Sequence, residues 1–188
     1  MPNIFFPTLA DTFISKFQPN TNFNGSTNLF VSQFQQVGDI YRSLLLFRLT
    51  NPVNSLNLIP PGSTINEAFL QLTISRNELP VGGFITLRVF TALEPWDPAV
   101  VTWNHQPNFP AVAEAAANIT NGLGTVNVNL TNLVRAWFSG QIVNLGIVLA
   151  GNENANSLVG FFSSWSNSSG AWPKLYVNYS TTTDGVPA

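Results

Sequence analysis

The sequence contains no cysteine, so disulfide frameworks and cysteine-based zinc sites are excluded. Charged residues make up only 9% of its 188 residues, and the net charge is −2. This short supply of Lys and Arg argues against nucleic-acid binding, which needs a basic patch. No apolar run is long enough to span a membrane. The N-terminus also lacks the basic region and the long apolar region of a secretory signal peptide.

What the sequence does contain is apolar and polar residues that alternate with period two, which is typical of half-buried strands. In "FLQLTI", Leu70, Leu72 and Ile74 share one face. The stretches "VNVNL" and "LYVNY" alternate in the same way, and "RSLLLFRL", "FITLRVF" and "LGIVLAG" are further strand candidates. Turn residues separate these segments. Many short strands of this kind predict an all-β fold made of two packed antiparallel sheets.

Two segments depart from this pattern. In "NLTNLVRAWFSGQ" the apolar residues recur at helical spacing, which predicts one short helix near Thr131–Ser139. Thr131 is the predicted N-cap, and Gly140 is the predicted stop. The segment Ala111–Gly124 is interpreted as a loop or a weak helical turn.

Several motifs occur in a recognisable order: "ADTFIS", "NLFVSQ", "YRSLLLFRLT", "LRVFTALEPWDPAVVTWNHQP", "VNVNLTNLVRAWFSGQIVNLGIVLAG", "FFSSW" and "PKLYVNY". In this order the chain resembles the DNRLRE-domain family of bacterial and archaeal surface modules, which are also classed with carbohydrate-binding modules. The resemblance implies a jelly-roll-like β-sandwich over residues 10–179, after an apolar extension (1–9) and before a flexible tail (180–188). The chain departs from the family at Arg48, where an aspartate is frequent, and at Ser163–Trp165, where Ser-Arg-Glu is frequent.

The stretch "EPWDPAVVTWNHQP" has the densest chemistry in the chain. Glycoside hydrolysis needs two carboxylates facing one cleft, and only Glu94 and Asp97 are close in sequence. His105 is the single histidine, and the chain has no nucleophile-elbow motif to accompany it. We interpret the stretch as a structural corner and predict no catalytic residues.

Exposed aromatic rings can stack on the apolar faces of sugars. The aromatic residues predicted to bind a ligand are Trp165, Trp172, Trp96 and Trp103. Trp165 and Trp172 flank the loop "SNSSGA" and are the two most expected to be exposed. We predict no cofactor. Calcium is a weaker expectation, for which Asp11 and Glu78 are the candidate ligands.

The apolar residues Ile4, Phe5 and Phe6 precede the first family motif. They either pack on the chain's own sheet or add to a neighbouring subunit. Because few charges oppose association, we predict a non-catalytic, self-associating structural or adhesive protein of the cell or spore surface, with a fibre as one form. The alternative is a carbohydrate-binding module that recognises a polysaccharide through exposed aromatic residues.

Overall fold

The computed structural model describes residues 2–49 and 58–181 as an all-β molecule with one short helix. The strands of these residues are β1 (Asn3–Ser15), β2 (Asn28–Gln33), β3 (Ile40–Phe47), β4 (Thr64–Asn77), β5 (Phe84–Thr91), β6 (Ala115–Thr120), β7 (Thr125–Asn129), β8 (Ile147–Ala150), β9 (Val159–Phe162) and β10 (Lys174–Ser180). Helix α1 spans Thr131–Phe138 between β7 and β8. The predicted tail falls largely at residues 182–188, which lie outside the described residues.

Period-two alternation identified the inward faces of the strands. Leu70 and Leu72 of β4 are fully buried, as are Val128 of β7 and Val177 of β10. Their sequence neighbours point to the opposite face and are half-buried or exposed. The prediction of an all-β chain with one helix is therefore confirmed.

The prediction of a two-sheet sandwich is wrong. Hydrogen-bonded pairing runs β1–β10–β4–β9–β2–β3 and returns from β3 to β1, so six strands form a closed, barrel-like ring. Strands β8, β5 and β6 continue outward from β3, and β7 pairs with β4. Every ladder between these strands is antiparallel.

The ring closes because its two longest strands each change partner along their length. β1 pairs with β10 through Asn3–Pro7 and with β3 from Thr8 to Ser15, and the register shifts between Thr8 and Ala10. β4 pairs with β10 and β7 through its first part, and with β9 from Ile74 onward. An irregularity of this kind bends a strand and redirects its pairing. Alternation along one strand does not reveal such a change of partner.

The N-terminal apolar residues pack within the same chain. Phe6 is opposite Leu175 of β10 and only 1% exposed. Ile4 is half-buried against the main core, whereas Phe5 on the other face of the strand is 56% exposed. Residues 3–9 and the motif "ADTFIS" therefore lie in one continuous strand.

Two local predictions are also wrong. The segment Ala111–Gly124 contains β6, whose pairing with β5 outweighs the weak strand preference of its alanines. The N-cap of α1 is Leu130, which makes no side-chain capping bond, and the Asn129 side-chain carbonyl accepts a hydrogen bond from the Thr131 backbone N–H at 2.9 Å. The hydroxyl of Thr131 instead accepts a hydrogen bond from the Ala68 backbone N–H at 3.0 Å.

A second, smaller apolar cluster lies outside β3, β5 and β8. It contains Leu44, Phe90 and Val148, and Trp96 and Trp103 pack against it. The corner "EPWDPAVVTWNHQP" thereby covers the outer face of these strands. The outer face formed by β1, β10, β4 and β7 is different, because it leaves large side chains accessible to solvent.

Candidate functional site

Three aromatic side chains form a row across adjacent strands on this accessible face. The register places Phe5 of β1 opposite Tyr176 of β10, and Tyr176 opposite Phe69 of β4. Directly opposed residues of antiparallel strands project to the same side of the sheet. On the fourth strand the row continues with Asn129 of β7, opposite Phe69. We call Phe5, Tyr176 and Phe69, with the polar rows beside them, the aromatic face.

The rings of the aromatic face touch one another. The ring centroids of Phe5 and Tyr176 are 5.2 Å apart, with their planes 57° to each other. Those of Tyr176 and Phe69 are 6.5 Å apart and closer to parallel, at 31°. Such spacing lies within the range of favourable aromatic pairs. The rings therefore support each other from strand to strand, although Phe5 remains more than half exposed.

One polar row borders the aromatic row near the start of β1. The side-chain carbonyl of Asn3 accepts hydrogen bonds from the Tyr176 hydroxyl at 2.9 Å and from the Asn178 amide at 2.6 Å. The Asn178 carbonyl in turn accepts from the Asn66 amide at 2.9 Å. These bonds fix the Tyr176 hydroxyl and hold the amide groups in position.

A second polar row lies on the other side of the rings. Gln71 of β4 is opposite Asn127 of β7, and its side-chain amide donates to the Asn127 carbonyl at 3.4 Å. A primary amide offers two donors and a carbonyl with two lone pairs. The amides beside the rings can therefore meet hydroxyl groups as either donors or acceptors. A shallow depression lies between Phe5, Phe69, Gln71, Asn127 and Tyr176.

The aromatic face carries little charge. Its four strand segments, Asn3–Pro7, Lys174–Ser180, Thr64–Thr73 and Thr125–Asn129, contain one lysine and one glutamate. Lys174 donates from its ammonium to the backbone carbonyl of Gly170 at 2.9 Å. Glu67 lies on the other side of the aromatic row, opposite Asn178. The two charges are of opposite sign and flank a neutral centre.

The predicted tryptophans lie elsewhere. Trp96 donates its indole N–H to the Leu145 carbonyl at 3.0 Å, and Trp103 lies under the Arg42 guanidinium, whose carbon is 4.5 Å from the ring centroid. Trp172 is half-buried and donates to the Ser166 carbonyl at 2.8 Å. Trp165 is 54% exposed and is the most accessible of the four. They do not join Phe5, Tyr176 and Phe69 on the aromatic face.

The corner residues considered for catalysis have structural hydrogen bonds. Asp97 accepts from the Ala99 backbone N–H at 2.8 Å, and Glu94 accepts from the Asn108 amide at 2.8 Å. The His105 ring nitrogen Nδ1 lies 3.3 Å from the Thr102 hydroxyl. These bonds join neighbouring parts of the corner to one another.

The two candidate calcium ligands have other partners. The Asp11 carboxylate is buried and accepts from the backbone N–H and the hydroxyl of Ser164, at 2.8 and 2.9 Å. Glu78 forms an ion pair with Arg76 at 2.6 Å. Among residues 2–49 and 58–181, no three histidine or acidic side chains group closely enough to hold a metal ion.

The sequence contained a partial signal for the aromatic face. Once the alternate residues of each strand are assigned to the core, period-two alternation predicts that the residues between them face outward. These residues are Tyr176, Phe69, Gln71 and Asn127. The alternation does not show which strands are adjacent, or that Phe5, Tyr176 and Phe69 are in register. Those facts depend on contacts between distant parts of the chain.

Comparison with known proteins identifies the family of the chain. The family model of carbohydrate-binding module family 96 matches residues 2–179. No curated protein shows significant sequence similarity to the chain. No helix among the described residues is long and apolar enough to cross a membrane. Because this match covers nearly the whole chain, the chain belongs to carbohydrate-binding module family 96.

Proposed function

We propose that the protein is a non-catalytic polysaccharide-binding module and that its glycan contacts the aromatic face. The observation that carries the proposal is the register that aligns the exposed Phe5 and the half-buried Tyr176 and Phe69 in one outward-facing row between two amide rows. Aromatic rings present an apolar surface to the C–H groups of a sugar ring. Amides at the same level can bond the hydroxyl groups at the sugar's edge.

Family membership supports this function over the self-associating structural role. The finer resemblance to DNRLRE-domain modules suggests an extracellular or cell-surface location, and a spore surface is one such place. An accessory module of this type holds an attached or neighbouring protein at its polysaccharide. The hydrogen bonds of Glu94, Asp97 and His105 also fit a protein without a catalytic centre.

Self-association is a second candidate role, and one observation favours it. Phe5 is 56% exposed beside Tyr176, and exposed apolar patches also mark contacts between protein subunits. A second copy of the chain could therefore cover the aromatic face. In that arrangement glycan binding and self-association would compete for the same surface.

The test is a matched pair of substitutions. Phe5→Ala removes an exposed ring from the aromatic face, whereas Phe84→Ala removes a ring of similar exposure, 62%, from β5. In affinity electrophoresis through gels containing soluble polysaccharides, Phe5→Ala should weaken binding by about tenfold, which corresponds to about 1.4 kcal/mol. Phe84→Ala should bind like the unchanged protein.

A third variant tests the location predicted from the sequence. If Trp165→Ala removes binding and Phe5→Ala does not, the glycan contacts the tryptophan loop and the aromatic face is the wrong site. If the unchanged protein binds no polysaccharide of a broad panel, the proposed function itself is wrong. Sedimentation in the absence of glycan then shows whether the face joins two copies.

A further inference from the structure

We propose that the aromatic face takes a single, uncharged glycan chain, which lies across the strands and contacts the protein through about three consecutive sugar units. This inference rests on the proposed function and specifies its ligand class. It excludes two other classes of ligand, namely acidic polysaccharides and the flat surface of a crystalline polysaccharide. The absence of charge, the single chain and the number of sugar units each follow from a separate feature of the aromatic face.

The absence of a cationic cluster points to an uncharged glycan. An acidic polysaccharide carries a charge on many of its units and needs several cations placed along its path. Lys174 is the one cation in the four strand segments, and its ammonium already bonds the Gly170 carbonyl. Glu67 places a negative charge on the other side of the row. A carboxylate over the rings would have neutral amides as its nearest partners.

Three arginines outside the four strand segments are held by partners of their own, and Arg135 of α1 donates to the backbone carbonyls of Ile65 and Asn66 at 2.8 and 3.1 Å. Arg42 forms a two-bond ion pair with Glu153, at 2.7 and 2.9 Å. Arg76 pairs with Glu78, and Arg88 donates to the Gly151 carbonyl at 3.3 Å. None of these three side chains is free to move to a ligand without losing its bond.

The tilt of the rings points to a single chain. Phe5 and Tyr176 differ by 57° in the orientation of their planes, and Tyr176 and Phe69 differ by 31°. A crystalline polysaccharide presents coplanar sugar rings, so it could lie flat on one ring of this row but not on all three. A free chain can rotate about its glycosidic bonds and present each sugar to the ring below it.

The spacing of the rings determines the direction in which the glycan lies and the number of sugar units that contact the protein. Steps of 5.2 and 6.5 Å between ring centroids lead across the strands from β1 to β4. Each step is comparable to the length of one pyranose unit in an extended chain, and strands are about 4.8 Å apart. Three rings thus meet about three successive units. Beyond Phe69 the row ends at Asn129 on β7, which offers an amide and no ring.

The experiment compares ligands that share a backbone and differ in charge or order. Hydroxyethyl cellulose, which is neutral, and carboxymethyl cellulose, which is acidic, form one such pair. Neutral galactomannan and xylan and acidic polygalacturonate extend the panel. Microcrystalline cellulose tests binding to an ordered surface. We expect retention by at least one neutral soluble polymer and by neither acidic polymer. That retention should not change between low and high salt, because no ion pair contributes to it. Microcrystalline cellulose should not pellet the protein.

The length of the site is measured with neutral oligosaccharides of the retained polymer. Affinity should rise from one to about three units and then level off, since further units extend past the row. Tyr176→Ala and Phe5→Ala should each lower the affinity about tenfold. Thermal unfolding of each variant confirms that it is folded, and Phe84→Ala serves as the control with unchanged binding.

The outcomes separate this inference from the proposed function. Two results would overturn the ligand class: salt-sensitive retention by an acidic polymer, or pelleting of the protein by microcrystalline cellulose. If Phe5→Ala abolishes that binding, the aromatic face remains the binding site. Affinity that continues to rise beyond about four units would overturn the length. Neutral binding that survives both Phe5→Ala and Tyr176→Ala would overturn the site and the inference together.

Discussion

At the scale of single residues, the most unusual group is the Asp11 carboxylate. It is 1% exposed, and the groups that bond it are the Ser164 N–H and hydroxyl and the Thr8 hydroxyl. Burial raises the pKa of Asp11, and the hydrogen bonds from Ser164 and Thr8 offset this effect only in part. The three groups that bond the Asp11 carboxylate are all neutral donors.

This raised pKa predicts a defined pH dependence of stability. The folded chain holds the Asp11 proton more tightly than the unfolded chain, whose pKa is near 3.8. The stabilisation is thus fully present below that value and is lost as pH rises through the higher folded pKa. The free energy of unfolding of the unchanged protein, minus that of Asp11→Asn, should fall over this window.

Urea unfolding at pH steps from acid to neutral measures this difference. Asp97→Asn is the control, because Asp97 lies in an exposed turn and the asparagine retains the acceptor for the Ala99 N–H. Its difference curve is the reference with which that of Asp11→Asn is compared. A difference curve for Asp11→Asn that rises with pH would show that the hydrogen bonds outweigh burial.

At the scale of structural elements, two of the sequence motifs, "LRVFTALEPWDPAVVTWNHQP" and "VNVNLTNLVRAWFSGQIVNLGIVLAG", meet in one joint. The Trp96 indole bonds the Leu145 carbonyl, and the Ala92 N–H bonds the Gly146 carbonyl at 2.9 Å. The Asn144 amide donates to the Phe47 carbonyl at 2.7 Å, and its carbonyl accepts from the Gly146 N–H at 3.1 Å. The corner "EPWDPAVVTWNHQP" is thereby attached to the segment that leads from α1 into β8.

This joint requires glycine at position 146. Its φ is +92°, and a Cβ there would lie 2.7 Å from the Leu45 carbonyl oxygen and 3.0 Å from the Trp96 indole nitrogen. Gly146→Ala should therefore lower the free energy of unfolding by about 2–4 kcal/mol. Gly170→Ala, which meets nothing within 4 Å, should change it by less than about 0.5 kcal/mol. Chemical denaturation of both variants tests the prediction, and equal stabilities would contradict it.

The sequence predicted elements well and their partners poorly, and β4 shows why. Its alternation identified Leu70 and Leu72 as core residues without any structural information. The same alternation turns Phe69 outward but says nothing of Tyr176, which lies more than a hundred residues later and pairs with it. Strand pairing is decided by contacts between distant segments, which local periodicity does not encode. The tryptophans drew attention because they are large and rare, whereas the aromatic face is made of residues that become neighbours only on folding.

At the scale of the whole molecule, closure depends on the first strand. Strand β1 supplies two of the six junctions in the ring, to β10 and to β3. Its first residues hold Phe6 in the main core and Phe5 on the aromatic face. Stability and the proposed glycan binding are therefore both properties of the closed ring, and both depend on residues that the sequence analysis assigned to an extension.

Removing Met1–Leu9 tests this dependence. Whether the removal increases or decreases self-association distinguishes two roles of the N-terminal residues. If the apolar segment joined neighbouring subunits, its removal would reduce association. Here Asn3–Pro7 pairs with β10 of the same chain, so removal exposes the edge of β10 and the space vacated by Phe6. Exposed strand edges pair with other chains. The truncated protein should therefore have a lower melting temperature, lose glycan binding and sediment as larger species than the intact chain at equal concentration. If the intact chain forms oligomers and the truncated chain is a stable monomer, the N-terminal strand joins subunits instead of closing the ring.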